Sequence, residues 1–576
     1  MNVIPSPDNG PSLMLIEGSL TAIAFAVAFA LPRLGSSWFA RIERAFSQLA
    51  RRKRLSVFAV GATAFLLRLA ILPFCPIPLP FVQDDFSFLL AANTFALGRL
   101  ANPTPALWVH FESIQITMQP TYMSMYFPAQ GLILAAGKVL FGHPWFGLLV
   151  VNALMCAAFC WMLQAWLPPR WALLGGVIAI LRIGLFSYWI NTYSGGGSVA
   201  ALGAALLLGG LPRFIRHTRH RDAIFMAIGV SILALSRPYE GLLLCLLAAV
   251  LLARWLFFAK SRPSLALVLR RTVLPLSIVL AAVAWLGYYD YRAFGNARTL
   301  PYTVDRAEYA AAPYWIWQSP RPIPDYRHEV IRDFYVNQEL GSAMRLHTPG
   351  GLVKEELFFK PLRMFLFFAG FALLPPLIML RRALLDRRIR FLVVSIAVVF
   401  SAVIVETWLI PHYFAAITPA FYALGLQMMR HLRQWQPGRQ PAGLAIQRFI
   451  VTLCIALAAL RLVAEPLHIG LAKWPSGSWA STWHGPGRMG LPREHIEDQL
   501  NQLPGNQLIL VRYSPAHSSL DEWVYNAPDI DSAKIIWARE MDAANNQELL
   551  HYYEDRKVWL VQPDNDPVSL SPYPAQ

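Results

Sequence analysis

Stretches of about twenty apolar residues recur along the chain, and no other feature restricts its fold so strongly. Runs long enough to cross a hydrocarbon core of about 30 Å fall at 12–32, 55–75, 144–165, 171–191, 196–212, 222–238, 239–259, 267–288, 361–380, 391–410, 412–430 and 449–466. Of 576 residues, 56% are hydrophobic and only 15% charged. A soluble domain carries about a quarter charged residues, so this chain lacks the polar surface to cover itself in water. A soluble enzyme, a disordered scaffold and a fibrous protein are excluded. The pattern specifies an α-helical polytopic membrane protein of about 12 spans.

Charge distribution orients it. The excess of 50 Lys+Arg over 34 Asp+Glu lies in short stretches between apolar runs, at 51–54, 213–221, 260–271, 381–390 and 430–448. That is the distribution of cytoplasmic loops, not of a nucleic-acid-binding face. The five cysteines fall almost entirely inside apolar runs and outline no disulfide framework. The first run lacks a basic leader and is long enough to span, so it reads as a span and not a cleaved signal. Alternation then holds only if Ala129–Phe141, preceded by Pro128, interrupted by Gly131 and Gly137 and carrying Lys138, does not cross. It reads as an interfacial or re-entrant helix.

This topology predicts an N-terminal span and basic cytoplasmic loop (1–54), a membrane body (55–466) with outer loops 76–143 and 289–360, and an extracytoplasmic domain (467–576). In that domain 508–511, 535–537 and 558–560 read as strands and 545–553 as a helix, giving a small α/β unit. The expected location is the inner (plasma) membrane.

The polar residues near membrane depth gather on the outer side. Pro73, Pro76, Pro78 and Pro80 stiffen the chain and deliver Asp84 and Asp85 to a helix expected over 86–97. Adjacent carboxylates at that position serve as helix caps, as a general base beside a lipid-borne substrate, or as a shared cation site. His110 and Glu112 are two apart on a segment expected to be extended, so both face one cavity. With Asp84 or Asp85 they form a candidate site for a divalent metal ion, with loop hydrogen bonding as the alternative. Glu406, near the outer end of its span, fits either substrate contact or pairing with an Arg. Residues 191–198 look like a phosphate loop but lack its Lys and its strand-to-helix setting, so they read as a tight turn. Arg68 and Arg182 fall inside spans and are expected to pair internally.

Gln83-Asp84-Asp85-Phe86, the segment 93–100, His110-Phe111-Glu112, Pro120-Thr121-Tyr122 and Tyr126-Phe127-Pro128 resemble the first extracytoplasmic loop of GT-C glycosyltransferases. The nearest pattern is that of bacterial members akin to protein O-mannosyltransferases and lipid A aminoarabinose transferases. The likeness extends loosely over 55–430. It departs in Asp-Asp where Asp-Glu is common, and in an extra N-terminal span. The resemblance implies transfer of a sugar from a polyprenyl-phosphate donor in the bilayer to an extracytoplasmic glycan, lipid or protein acceptor. Asp84 matches the first acidic position and would act as base, with inversion at the anomeric carbon.

The leaving lipid phosphate then needs cations. Arg237, in Ser236-Arg237-Pro238-Tyr239-Glu240, offers a two-pronged phosphate donor where Pro238 breaks the helix; a snorkelling anchor is the alternative. His412 is a second candidate donor, and Glu240 and Tyr413 complete the expected substrate-binding set. A transporter or flippase is the rival reading. It lacks the expected internal repeat but draws on Arg68 and Arg182. A non-catalytic binder of a polyprenyl lipid is a third.

Overall fold

The computed structural model describes residues 13–259, 263–464, 467, 469 and 490–574. Among the described residues, six helices are long and apolar enough to cross a bilayer: α1 (Leu13–Ala30), Trp145–Trp166, Gly197–His217, Pro238–Phe258, Leu265–Phe294 and Ala442–Leu462. A bent pair, Pro349–Phe368 and Phe371–Leu384, turns through 88° and makes seven if counted as one span. Of the apolar stretches of helices Trp145–Trp166 and Gly197–His217, 72% and 78% are buried and form the centre of the body, whereas only 11% of that of Leu265–Phe294 is buried, so this helix lines the outside.

The other apolar runs are shortened or interrupted by their own residues. The run at 55–75 becomes α3 (Lys53–Ala70), which follows the amphipathic α2 (Ser36–Arg51) and carries Lys53, Arg54 and Arg68. That at 171–191 divides into helix Pro169–Ala179, a π-helical turn Ile180–Gly184 and a short helix Tyr188–Asn191. The run at 222–238 gives the 17-residue helix His220–Ser236, and that at 391–410 only Arg390–Val403. That at 412–430 opens with a 3-10 turn, Pro411–Ile417. Segment 129–141 forms α5 (Pro128–Phe141), 14 residues and so about 21 Å long, short of the bilayer core.

Arg68 and Arg182, the arginines expected to pair internally, are both buried against partners within the body. Arg182 pairs with Glu17 of α1 at 3.1 Å and donates to the Leu366 carbonyl at 3.0 Å. Glu17 also accepts from the Ala372 amide, so α1 is tied to the bend of the broken helix. At that bend Gly370 has φ +64°, and a Cβ there would collide with Arg182 and Glu17. Among the described residues Arg68 meets no carboxylate. It donates to the Cys75 carbonyl and to Asn191 Oδ1, at 2.9 and 2.8 Å, and lies over the Trp145 ring.

After the stiff stretch 76–82 the chain enters α4 (Gln83–Ala96) from an extended Val82. The helix begins earlier than expected from sequence, which puts Asp84 and Asp85 inside its first turn. Two short strands, β1 (Ile116–Thr117) and β2 (Met123–Ser124), pair antiparallel beyond it.

The C-terminal region holds a four-stranded sheet in the order β4-β3-β5-β6, formed by β3 (Gln507–Val511), β4 (Ile535–Arg539), β5 (Lys557–Gln562) and β6 (Ser569–Pro572). β3 runs parallel to β4 and β5, and β6 antiparallel to β5. Helix Ala543–Tyr552 matches expectation; β6 and helix Leu491–Gln502 were not foreseen. Side chains alternate across a strand, and both faces are covered. Leu508, Leu510, Ile536 and Ala538 pack with Phe86, Phe111 and Tyr122 of the 76–143 loop. Ile509, Val511 and Trp537 pack with Ile496 and Leu500. One face of the sheet is therefore shared with the segment that carries Asp84.

Removing one partner of a buried pair strands the other charge at a cost of about 3–5 kcal/mol, whereas replacing both with apolar groups is far milder. Glu17→Leu is expected to lower the thermal midpoint of the detergent-solubilised protein sharply, and Glu17→Leu with Arg182→Met to recover most of the loss.

Candidate active site

The two adjacent carboxylates have different surroundings. Asp85 is 2% exposed. Its Oδ1 accepts the Tyr193 amide at 2.9 Å and its Oδ2 the Phe81 amide at 3.3 Å. It thus joins the proline-rich stretch, the first turn of α4 and the turn after Asn191. Burial raises its pKa to about 7 against the pull of those amides, and the neighbouring charge of Asp84 adds to the rise.

Asp84 is half-buried and is met by a side chain. The Tyr126 hydroxyl lies 2.6 Å from its Oδ1 and 2.9 Å from Gln115 Oε1. The phenol proton lies closer to the carboxylate, the stronger acceptor, and the Gln115 side-chain amide is a further hydrogen-bond partner of Asp84. Burial raises the Asp84 pKa, opposed by the Tyr126 hydrogen bond and the charge of Arg237.

Gln115 has φ +61°, a conformation that costs a non-glycine residue energy and is kept where the surroundings dictate it. Its carbonyl accepts from the Ser87 hydroxyl at 2.7 Å and the Met125 amide at 3.3 Å. Its amide donates to the Tyr335 hydroxyl, which donates to Asp305 at 3.1 Å. A chain of hydrogen bonds therefore runs from Asp305 through Tyr335, Gln115 and Tyr126 to Asp84. Asp305 is fully buried, and burial lifts its pKa to about 7, opposed by Arg306 and assisted by Glu339.

Arg237 sits between helices His220–Ser236 and Pro238–Phe258 at non-helical φ −138°, ψ 72°, where Pro238 interrupts the backbone ladder. Its guanidinium donates to the Gly195 carbonyl at 3.1 Å, lies 3.7 Å from Glu240 and stacks over the Tyr413 ring. The Tyr188 hydroxyl accepts the His412 backbone amide at 3.0 Å and lies 2.8 Å from His412 Nδ1. With the phenol proton on Nδ1, the ring proton sits on Nε2 as a donor. Gly195, at φ +80°, packs so closely that a Cβ would fall 2.6 Å from Nδ1, so only glycine fits here.

Glu406 has a buried Oε1 without a hydrogen-bond partner among the described residues. Its turn is held by Lys360, fully buried, whose ammonium donates to the Ile404 and Glu406 carbonyls and to Glu356. Lys360 went unnoticed in the sequence, although a lone Lys at an expected outer helix end is a legible signal. Tyr126, Gln115, Tyr335 and Asp305 were also missed as site residues. Only Tyr126 carried a signal, being adjacent to Phe127-Pro128 in the family-like pattern.

His110 and Glu112 do not join Asp84. Residues Trp108–Phe111 form a 3-10 turn instead of an extended segment, which separates the two side chains. His110 places its nitrogens 3.1 and 3.2 Å from the Arg539 and Asn545 carbonyls. Glu112 accepts from Tyr309 and Arg327 at 2.7 and 2.9 Å, and its carbonyl accepts from Arg539. They join the 76–143 loop to the C-terminal sheet and the 289–360 loop. Among the described residues, no group of three or more His, Cys, Asp or Glu is placed to hold a metal ion, so the expected His110–Glu112–Asp metal set is not assembled.

No family model matches the sequence, and no curated protein does. Among solved structures, ArnT from Cupriavidus metallidurans in the apo state aligns with 88% of this chain and 92% of its own, at 13% identity and TM-score 0.49. Its form bound to undecaprenyl phosphate aligns over the same shares at 13% identity and TM-score 0.45. Archaeal AglB from Archaeoglobus fulgidus, solved with an inhibitory peptide and a dolichol-phosphate, covers 88% and 69% at 10% identity and TM-score 0.45. Both are oligosaccharide- or sugar-transferring members of the GT-C superfamily. At these scores the reading of the site rests on its own geometry.

Asp85 and Asp305 carry folded-state pKa values raised above the usual carboxylate value. Their contribution to stability is therefore complete below about pH 4 and lost as pH rises through about 7. The thermal midpoint is expected to fall between pH 5 and pH 8. Asp305→Asn, which keeps an acceptor for Tyr335, should flatten that slope in a melting series across the same range.

Proposed function

We propose that the chain is a membrane glycosyltransferase that moves a sugar from a polyprenyl-phosphate donor to an acceptor on the extracytoplasmic side, with Asp84 as general base. The observation that carries this reading is the division of labour within the acidic pair. Asp85 spends both oxygens on backbone amides, whereas Asp84 is held by a phenol and feels a guanidinium at a helix break.

In this reading the second oxygen of Asp84 receives the proton of an acceptor hydroxyl. The acceptor oxygen bonds to the anomeric carbon as the bond from that carbon to the phosphate oxygen breaks. The lipid phosphate leaves with the electron pair, and the anomeric centre inverts. Charge accumulates on the leaving phosphate, where fixed cationic donors lower the barrier most. Arg237 supplies a planar pair of N–H donors, fixed by Tyr413 and Gly195 and turned by Glu240. His412 Nε2–H is a second donor. Gln115, Tyr335 and Asp305 act through Tyr126 on the orientation of Asp84. Glu406, with its unpartnered oxygen, is assigned to substrate. His110 and Glu112 support the joint between loop and sheet. The sheet-bearing region 490–574 is assigned to the same outer side, and the enzyme to the inner (plasma) membrane.

The transporter or flippase reading drew on Arg68 and Arg182. Both have internal partners, which removes its main support.

Turnover is to be measured with purified protein in lipid and a panel of polyprenyl-phosphate sugars with candidate acceptors. Asp84→Asn is expected to lower kcat by about 10²–10⁴ and Arg237→Gln by about 10²–10³. Asp85→Asn should instead reduce folded yield. Because burial raises the Asp84 pKa, kcat should climb with pH through a midpoint above the ordinary carboxylate range. Equal turnover by wild type and Asp84→Asn would refute the assignment of the base.

A further inference from the structure

Helix α2 presents a surface that none of the described residues covers. Its inward side repeats at 39, 43, 46 and 50, the spacing of one helix face. Phe39 meets Phe449 edge-on at 6.2 Å with Arg448 over its ring. Glu43 is gripped by Arg433 at 2.9 Å through both oxygens and by Arg448 at 3.0 and 3.3 Å. Phe46 and Ala50 complete the contact with the body. The same helical spacing places Trp38, Ile42 and Ala45 on a second face, and that face points away from the protein. Trp38 is 55% and Ile42 45% exposed, and Leu34 just before the helix is 52% exposed.

Basic residues flank this apolar strip. Arg33, Arg41, Arg44 and the run Arg51–Arg54 are all exposed. Glu43 is the sole acidic residue between 33 and 54, and its charge is consumed by Arg433 and Arg448. The outward surface therefore sets an apolar strip beside a second strip that carries Arg41, Arg44 and Arg51 among the uncharged Ser37 and Gln48, and α2 has no acidic side chain besides Glu43 to offset that charge. It follows directly on α1, one of the helices able to cross a bilayer, after a turn at Gly35 (φ +63°). The turn and the single non-helical residue Arg52 (φ −83°, ψ 74°) before α3 set α2 off from both neighbouring helices.

We propose that α2 lies in the membrane–water interface as an anionic-phospholipid-binding helix. Trp38, Ile42 and Leu34 enter the boundary of the acyl region, and Arg41, Arg44 and the 51–54 run engage phosphate headgroups. The chemistry selects this occupant. An indole and branched aliphatic groups beside arginines match a surface that is apolar just below a layer of negative charge. The bidentate geometry of Arg suits a phosphodiester. The proposal is independent of the glycosyltransferase reading, since it uses none of the residues of that site.

The test uses the full-length protein in nanodiscs of phosphatidylcholine with or without phosphatidylglycerol, read two ways. Retained lipids are identified by native mass spectrometry for wild type and for Arg41→Gln with Arg44→Gln. A spin label on Ala45→Cys reports depth by its accessibility to oxygen against a water-soluble relaxant. Wild type is expected to retain phosphatidylglycerol preferentially, and the double variant to lose that preference by roughly tenfold with its thermal midpoint unchanged. The label should be open to oxygen and shielded from the relaxant. Equal retention of both lipids by wild type, or a preference unchanged in the variant, would overturn the proposal. A label freely open to the relaxant would overturn it as well. Shielding that appears only with protein concentration, together with a dimer mass, would assign the face to a second copy of the chain instead.

Discussion

Two backbone amides on one buried carboxylate hold the site in place. Asp85 receives Phe81 from the proline-rich stretch and Tyr193 from the turn beside the central helices. A carboxylate buried without such donors would be driven to neutralise or to leave the interior. With them, it locks the first turn of α4 to the membrane body. Asp84 is then one residue away on a rigid helix. Its direction is settled by the stacked Phe88 and Tyr126 rings and by the strained Gln115. The two members differ because only Asp85 has both oxygens filled by backbone amides, which leaves Asp84 to side-chain partners.

The C-terminal sheet is more than an appendage to this arrangement. Its even-numbered core positions share a cluster with Phe86, which follows Asp85 directly, and Tyr525 stacks on Phe86 at a centroid distance of 4.1 Å. Arg539 reaches the Glu112 carbonyl, and Ser113 donates to the Val524 carbonyl at 2.6 Å. His110 and Glu112 thus have a structural use that accounts for their burial. Separating the sheet from the 76–143 loop would expose the outer side of α4 to water.

Much of this was legible in the sequence, and the rest has identifiable physical reasons for being hidden. Apolar run length located the six long helices, and short continuous apolar runs located three of the four strands. Proline spacing announced the extended approach to Asp84, and Pro238 announced the break at Arg237. The interruptions at Ile180–Gly184 and Gly370 were not legible, because they depend on packing against Glu17, far away in the chain. Gln115 carries no sign of positive φ, since partners on Ser87, Met125 and Tyr335 impose it. His110 and Glu112 were misplaced because their partners include groups as distant as Arg539, 429 residues from His110. Local pattern predicts elements well, and it fails where a buried polar group takes its partner from another part of the fold.

The central claim is that Asp84 and Arg237 play opposite electrostatic parts toward one lipid phosphate. Equilibrium binding of a sugar-free polyprenyl monophosphate separates these parts without any turnover. The account predicts that Arg237→Gln weakens binding by about tenfold or more, since a charge-assisted two-pronged contact is lost. It predicts that Asp84→Asn binds at least as tightly as wild type, because a like charge has been removed. Undiminished binding by Arg237→Gln, or an equal loss in both variants, would contradict it.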